Sequence, residues 1–213
     1  MIESVLFDLD GTLLDTAPDL VYALNQLRLK YALEELPFEQ VRSQVGYGSK
    51  TLLKLAFEVE EAQYKTLADE FLKIYQLHLL KSTKLFPKME EVLHHLDKKN
   101  IPWGIVTNRP TRFTGVLLDA LNLSQRTDCV ICGDSLPKQK PDPYPIMHAC
   151  SLIKADVKKC LYVGDMKTDV LASKAAGAKS LVALYGYIGN EDNPYSWEAD
   201  GYIEKPIEIL DWL

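Results

Sequence analysis

The chain has little from which to build a staple, a membrane anchor or a nucleic-acid grip. Its 213 residues include four cysteines, Cys129, Cys132, Cys150 and Cys160, and four histidines. Cys129-Val-Ile-Cys132 has the spacing of half a zinc or redox site. A structural zinc site needs four ligands, and no second Cys/His pair stands at a suitable spacing. Cys129 and Cys132 therefore read as buried strand residues, all four cysteines as free thiols, and His94-His95 as a solvated pair on a polar helix face. No apolar run approaches the ~18 residues of a membrane span. The opening MIESVLFDLD has no basic segment and meets acids by position 8, so it does not read as a secretory signal. A cytoplasmic location with no membrane partner is expected.

Basic clusters are also missing. The 24 Lys and Arg against 30 Asp and Glu leave a net charge of −6 with no basic run, so no nucleic-acid partner is expected. There are no repeats and no low-complexity segments. What is present is ordinary globular composition, 47% hydrophobic and 25% charged, which excludes disorder. A chain of this length buries roughly 70% of its unfolded surface, so it needs no disulfide or metal to fold. The length suits one domain carrying an insertion.

Residues 2–7 read as a short buried strand ending at acids. Thr16 is a candidate helix N-cap and Pro18 fits a first helical turn. Leu20, Ala23, Leu24, Leu27 and Tyr31 follow helical spacing. From there to about residue 80 the patterns are helical, broken at Pro37 and at Gly46-Tyr47-Gly48, with 60–80 as one long amphipathic helix. After Phe86-Pro87 the texture changes. Strands at 102–106, 129–132, 160–163, 180–184 and near 202–203 alternate with helices marked by Met89–Leu96, by Phe113–Leu121, near 143–153 and near 168–176. Such alternation implies an α/β fold with a parallel sheet covered on both faces. The helical stretch 15–82 interrupts it as an inserted domain would, leaving 1–14 and 83–213 as the core.

In open parallel sheets the site lies at the carboxyl ends of the strands. Asp8, Asp10, Gly11 and Thr12 follow the first strand, and Thr107 and Asn108 follow the 102–106 strand. Lys140-Pro141 stands a few residues beyond the 129–132 strand. Gly164, Asp165 and Asp169 follow the 160–163 strand. Four carboxylates converging near one lysine repel one another and raise one another's pKa. A hard divalent cation relieves this, and Mg²⁺ favours a few carboxylate and carbonyl oxygens with a phosphate. Thr107, Asn108, Lys140 and the loop amides around Gly11 can then hold an anion. That combination suits phosphoryl transfer, which runs on positioning and charge neutralisation. Two plainer readings stand beside it: Asp169 as the cap of the following helix, and Lys140 as a solvated lysine.

DLDGTLLDT (8–16), TN (107–108), KP (140–141) and GDMKTD (164–169) together resemble the four motifs of the haloacid dehalogenase superfamily, in order and across the whole core. The resemblance implies a Rossmann-like core with a helical cap at 15–82. It also implies Asp8 as nucleophile, through an aspartyl-phosphate, and Asp10 as general acid and then base. Mg²⁺ would be held by Asp8, the backbone carbonyl of Asp10 and Asp165, with Asp169 supporting the metal and its waters. Thr107 and the Asn108 region would bind phosphoryl oxygens, and Lys140 would neutralise nucleophile and phosphate. The implied activity is Mg²⁺-dependent hydrolysis of a small phosphorylated metabolite.

Specificity would lie in the inserted helices and loops. Gly46-Tyr-Gly48-Ser-Lys50-Thr51 is neither a P-loop nor a dinucleotide fingerprint, because its glycines are misplaced. VGYG resembles the cap loop of phosphoglycolate-phosphatase-like and phosphosugar-mutase-like members, which makes Arg42, Tyr47, Ser49 and Lys50 candidates to touch the organic part. A plain helix–helix turn is the other reading. Arg109 could meet an anionic substrate or lie on the surface. DTAPDL (15–20) resembles phosphoglycolate phosphatases. STKLFPKMEEVL (82–93), WGIVTNRPTRF (103–113) and GYIGNEDNPYSWEAD (186–200) look like bacterial N-acetylmuramic acid 6-phosphate phosphatases of cell-wall recycling. A phosphosugar mutase shares every core motif. A phosphonatase would need a Schiff-base lysine, for which Lys50 and Lys54 are candidates. A dehalogenase needs neither Asp10 nor a metal. A phospho-accepting receiver module would lack both the inserted helices and Asp10.

Overall fold

A computed structural model describes residues 2–58 and 61–213, without the side chains of residues 61 and 62. The chain runs β1 (Ser4–Phe7), β2 (Leu14–Asp15), α1 (Ala17–Lys30), α2 (Phe38–Arg42), α3 (Ser49–Ala56), α4 (Glu61–His78), β3 (Lys84–Leu85), α5 (Met89–Lys99) and β4 (Trp103–Val106). It continues through α6 (Thr111–Ala120), β5 (Cys129–Ile131), α7 (Tyr144–Leu152), β6 (Cys160–Gly164), α8 (Lys167–Ala176), β7 (Lys179–Ala183) and β8 (Gly201–Ile203). The expected long helix at 60–80 corresponds to α4; Glu60 lies outside the described residues.

Six strands form one parallel sheet in the order β5-β4-β1-β6-β7-β8. β1 is fully buried, as a central strand with both faces covered must be. Its side chains alternate between two cores. Val5 and Phe7 join Trp103, Ile105, Leu161 and Val163 on the face covered by Val92, Leu96 and Leu117 of α5 and α6. Leu6 joins Cys160 and Tyr162 on the other face, under Ile146, Ala149 and Ala172 of α7 and α8. Cys129 and Cys150 pack in that second core too, and all four cysteines are free and buried. Strand order reverses at β1, so the crevice beyond its carboxyl end is where a ligand is expected.

The chain leaves the sheet layer through β2 and returns through β3. These two-residue strands pair antiparallel, Leu14 with Leu85 and Asp15 with Lys84. They are too short for any alternation to announce them. Between them, α1 packs along α4. The α4 seam, Leu67, Phe71 and Tyr75, repeats every fourth residue and is buried throughout.

The start of α1 departs from the expected capping. Thr16 precedes the helix, but its hydroxyl caps nothing and donates instead to Asp10 Oδ1 at 2.6 Å. The amides of Thr16 and Ala17 donate to the phenol oxygen of Tyr187, at 2.6 and 2.8 Å. That phenol donates to Asp15 Oδ1. A side chain 171 positions away thus satisfies the helix terminus. Asp19, buried in the first turn, accepts from Ser82 N, Thr83 N and the Thr83 hydroxyl, and so ties the outgoing strand connection to the returning one.

Asp19→Ala strands two backbone N–H groups in a part-buried setting. It is expected to lower unfolding stability by roughly 2–3 kcal/mol, read as the urea midpoint. A loss below about 0.5 kcal/mol, the scale of an ordinary surface change, would show that the connection is held elsewhere.

Candidate active site

The acidic residues after β1 and β6 meet at one point. Carboxylate oxygens of Asp8, Asp165 and Asp169 lie within 4.8 Å of one another, and all three residues are buried. The Lys140 ammonium bridges two of them, 2.8 Å from Asp8 Oδ1 and 2.7 Å from Asp169 Oδ1. It also donates to the Tyr162 phenol at 2.7 Å, and that phenol donates to the Val106 carbonyl. Lys140 is therefore not a solvated surface lysine. Burial opposes its charge, but Asp169 and Asp8 outweigh burial and hold it above the ordinary lysine range.

Asp165 pairs with no basic side chain among the described residues. Its Oδ1 accepts from the Thr12 hydroxyl at 3.0 Å and its Oδ2 from the Tyr187 backbone N–H at 2.7 Å. Burial, with repulsion from Asp8 and Asp169, pushes its pKa well above the usual carboxylate range. Burial, opposed by Lys140 and reinforced by Asp169 and Asp10, pushes Asp8 up to about 7. Three buried carboxylates against one ammonium leave an uncompensated negative charge. This donor set fits a hard divalent cation.

Asp169 closes the helix turn, as the plainer reading has it, and also belongs to the acidic cluster. Its Oδ2 accepts from the Met166 N–H at 2.9 Å, closing the first turn of α8, while Oδ1 faces Lys140. Asp165 also has both oxygens engaged, but only by uncharged donors, whereas Asp169 Oδ1 and Asp8 Oδ1 face the Lys140 ammonium. Asp10 points its side chain away from this cluster, accepting from Thr16 and, at 2.8 Å, from Arg109 Nη1. Gly11 makes the turn possible: its φ is +83°, and a Cβ there would collide with Asp165 and Tyr187.

A cavity of about 320 Å³ opens above these groups, lined by Asp8, Asp10, Thr107, Asn108, Arg109, Lys140 and Ser49, with Leu20, Val45, Leu52, Phe71, Leu72, Tyr75 and Phe113 as an apolar wall. Thr12, Arg42, Tyr47 and Lys50 do not line it. Thr12 is spent on Asp165. The Asn108 side chain lines the cavity but is also paired with the Lys140 backbone in both directions, at 3.0 and 3.1 Å. Arg42 donates to the Tyr185 and Gly186 carbonyls and stacks over Tyr187. The Tyr47 hydroxyl bonds Asp192. Both residues thus bridge the inserted helices to the loop after β7 instead of facing the cavity. Lys50 lies over the Tyr64 ring and Lys54 lines a different groove, so neither is placed for a Schiff base. Gly46 and Gly48 do line the cavity, and a Cβ on Gly46 would collide with Met166 across it.

Residues without a motif complete the site. Tyr162 was readable in principle, as a polar tip in an apolar strand. Tyr187 and Tyr75 carry no local signal; only the fold brings them to Asp165, the α1 terminus and Arg109.

Similarity to known proteins agrees with this geometry. The sequence profile of haloacid dehalogenase-like hydrolases matches residues 5–183. The chain is 35% identical to N-acetylmuramic acid 6-phosphate phosphatase of Pseudomonas aeruginosa, over 100% of this chain and 95% of that one. It is 40% identical to phosphoglycolate phosphatase of Xanthomonas campestris, over 97% and 94%. The crystal structure of a predicted phosphoglycolate phosphatase from Haemophilus somnus superposes with a TM-score of 0.88 at 27% identity, covering 99% of this chain and 97% of that one. No helix among the described residues is long and apolar enough to cross a membrane. A profile match over residues 5–183, near-full-length relatives that are phosphatases, and an acidic cluster closed by Lys140 at the switch point of a parallel sheet make this chain a member of the haloacid dehalogenase-like hydrolases, acting on phosphate monoesters.

Proposed function

We propose that the protein is a Mg²⁺-dependent phosphomonoesterase that works through an aspartyl-phosphate on Asp8, with α1–α4, within residues 15–82, as its cap. The observation that carries this reading is the ion pair between Lys140 and Asp8 inside a buried cluster with two further carboxylates. An Asp8 oxygen attacks phosphorus and the ester P–O bond breaks. The leaving alkoxide takes its proton from Asp10, which lines the cavity. Asp10 then accepts a proton from water as the water attacks phosphorus. Inorganic phosphate leaves and the Asp8 carboxylate is restored. Lys140 holds Asp8 in place and offsets the phosphoryl charge. Mg²⁺, held by Asp8 and Asp165 with Asp169 behind them, would supply the positive charge that keeps these carboxylates ionised and the phosphoryl group polarised.

The two relatives' names supply the candidate substrates. Phosphoglycolate presents one methylene to a wall of leucines, valine and phenylalanines, so that wall contributes little to its binding. An N-acetylated sugar ester carries methyl groups that use it, and about 320 Å³ lies at the lower end of the volumes that hold ligands of that size. The apolar wall therefore favours the amino-sugar ester. With Mg²⁺ present, kcat/KM for N-acetylmuramic acid 6-phosphate is expected to exceed that for phosphoglycolate. The reverse order would return the reading to phosphoglycolate.

Asp8→Asn is expected to lower kcat by about 10³-fold or more with the circular-dichroism spectrum unchanged. The variant is also expected to melt no lower than the parent without Mg²⁺, since it removes one of three crowded buried carboxylates. Retained turnover would overturn the nucleophile.

The raised Asp8 pKa also fixes a sign. Between its unfolded value of 3.8 and about 7, the folded metal-free protein binds a proton that the unfolded chain has lost. Stability from this group is therefore full below the unfolded value and lost as pH rises through about 7. A cation that replaces the proton works best where the proton is gone. The rise in Tm on adding Mg²⁺ is expected to be larger at pH 8 than at pH 5. Equal shifts at both pH values would exclude binding at this cluster.

A further inference from the structure

Arg109 stands outside the phosphoryl chemistry, yet it is the second cation buried beside the cavity, 8% exposed. Its charge is kept at some cost: burial opposes it, and Asp10 and Tyr75 outweigh burial. The guanidinium lies against the Tyr75 and Phe113 rings, 5.1 and 5.7 Å from their centroids, and the two rings meet each other edge to face. One Nη1 hydrogen goes to Asp10 and one Nη2 hydrogen to the Tyr75 hydroxyl. Nε is buried and finds no acceptor among the described residues. A guanidinium has five donors. Nε and one hydrogen on each Nη are therefore unspent donors, and two adjacent guanidinium donors take a carboxylate in two parallel bonds.

The position of these donors is informative. Asp10, its neighbour at 2.8 Å, is the group proposed to protonate the leaving alcohol. A group bound to Arg109 therefore belongs to the alcohol half of the ester and not to the phosphoryl half, which Lys140 serves. Arg112 lies on the rim of the same cavity as a further positive charge, in a site otherwise crowded with carboxylates. An anion on the leaving group is the partner that this arrangement accommodates, and a planar carboxylate matches two adjacent guanidinium donors.

We propose that Arg109 is a specificity-determining residue that binds a carboxylate on the alcohol part of the substrate, so that the enzyme selects phosphate esters of hydroxy acids over their neutral counterparts. This rests on the phosphatase reading above and adds to it the residue and the chemical group that it reads. A carboxylate is common to a two-carbon hydroxy acid and to a sugar bearing a lactyl ether, and the experiment separates the two sources.

The test uses matched esters on the full chain with Mg²⁺. Phosphoglycolate is paired with ethyl phosphate, and N-acetylmuramic acid 6-phosphate with N-acetylglucosamine 6-phosphate, which lacks only the lactyl acid. For the pair that contains the true substrate type, the wild-type protein is expected to favour the acid in kcat/KM by roughly 10–100-fold. Arg109→Gln is expected to collapse that ratio towards one, mainly through KM, and Arg109→Lys to restore part of it. A residue that only steadied Asp10 or Tyr75 would slow both members of a pair alike and leave the ratio unchanged. An unchanged ratio in Arg109→Gln would therefore overturn the proposal while the phosphatase reading stood. So would a wild-type preference for a sugar bisphosphate over both acids. Absence of phosphate release from every ester would remove the phosphatase reading itself, and this proposal with it.

Discussion

The site depends on charges that the fold forces together and cannot balance alone. Asp8, Asp165 and Asp169 come from two neighbouring parallel strands and the helix after the second, and their register leaves no room for them to part. One ammonium, Lys140, joins two of them; the third is held by a hydroxyl and a backbone N–H. In a low-dielectric setting this arrangement is unfavourable by itself, and its donor set fits a hard cation. Burial and mutual repulsion raise the pKa values of Asp8 and Asp165.

The same constraint reaches the inserted helices through Tyr187. Its backbone N–H holds Asp165, and its phenol holds the first turn of α1 and Asp15. Thr16, next to that turn, holds Asp10. The acidic cluster, the proposed acid and the point where the chain departs for the helices are thus linked by hydrogen bonds. Arg109 adds a second connection, from Asp10 to Tyr75 on α4. Movement of α1–α4 relative to the sheet would have to alter the surroundings of Asp10.

Several strings read as marks of kinship turn out to be joints of this machinery. DTAPDL supplies Asp15 and Thr16 to the Tyr187–Asp10 connections and Asp19 to the returning chain. GYIGNEDNPYSWEAD supplies Tyr187, and Asp192 for Tyr47. VGYG places glycine where a Cβ would collide with Met166. Their role here is to bring two layers into contact, which is why Arg42 and Tyr47 bridge layers where substrate contacts were expected.

The sequence by itself determined the parallel sheet and the four strand ends that carry Asp8, Thr107, Lys140 and Asp165. Both follow from local rules: apolar runs form buried strands, and chemistry gathers where such strands end. The inserted helices were legible for the same reason, from a 3.6-residue period that needs no partner to be seen. Tertiary structure alone decided what the polar side chains do. Thr16 reads as a cap until Tyr187 takes the amides that it would have served. Arg109 reads equally well as a surface residue until Tyr75, 34 positions away, closes over it. Hydrogen bonds and ion pairs join groups distant in sequence through angles and distances of tenths of an ångström. No periodicity encodes those, so the residues that position this site became visible only once the chain was folded.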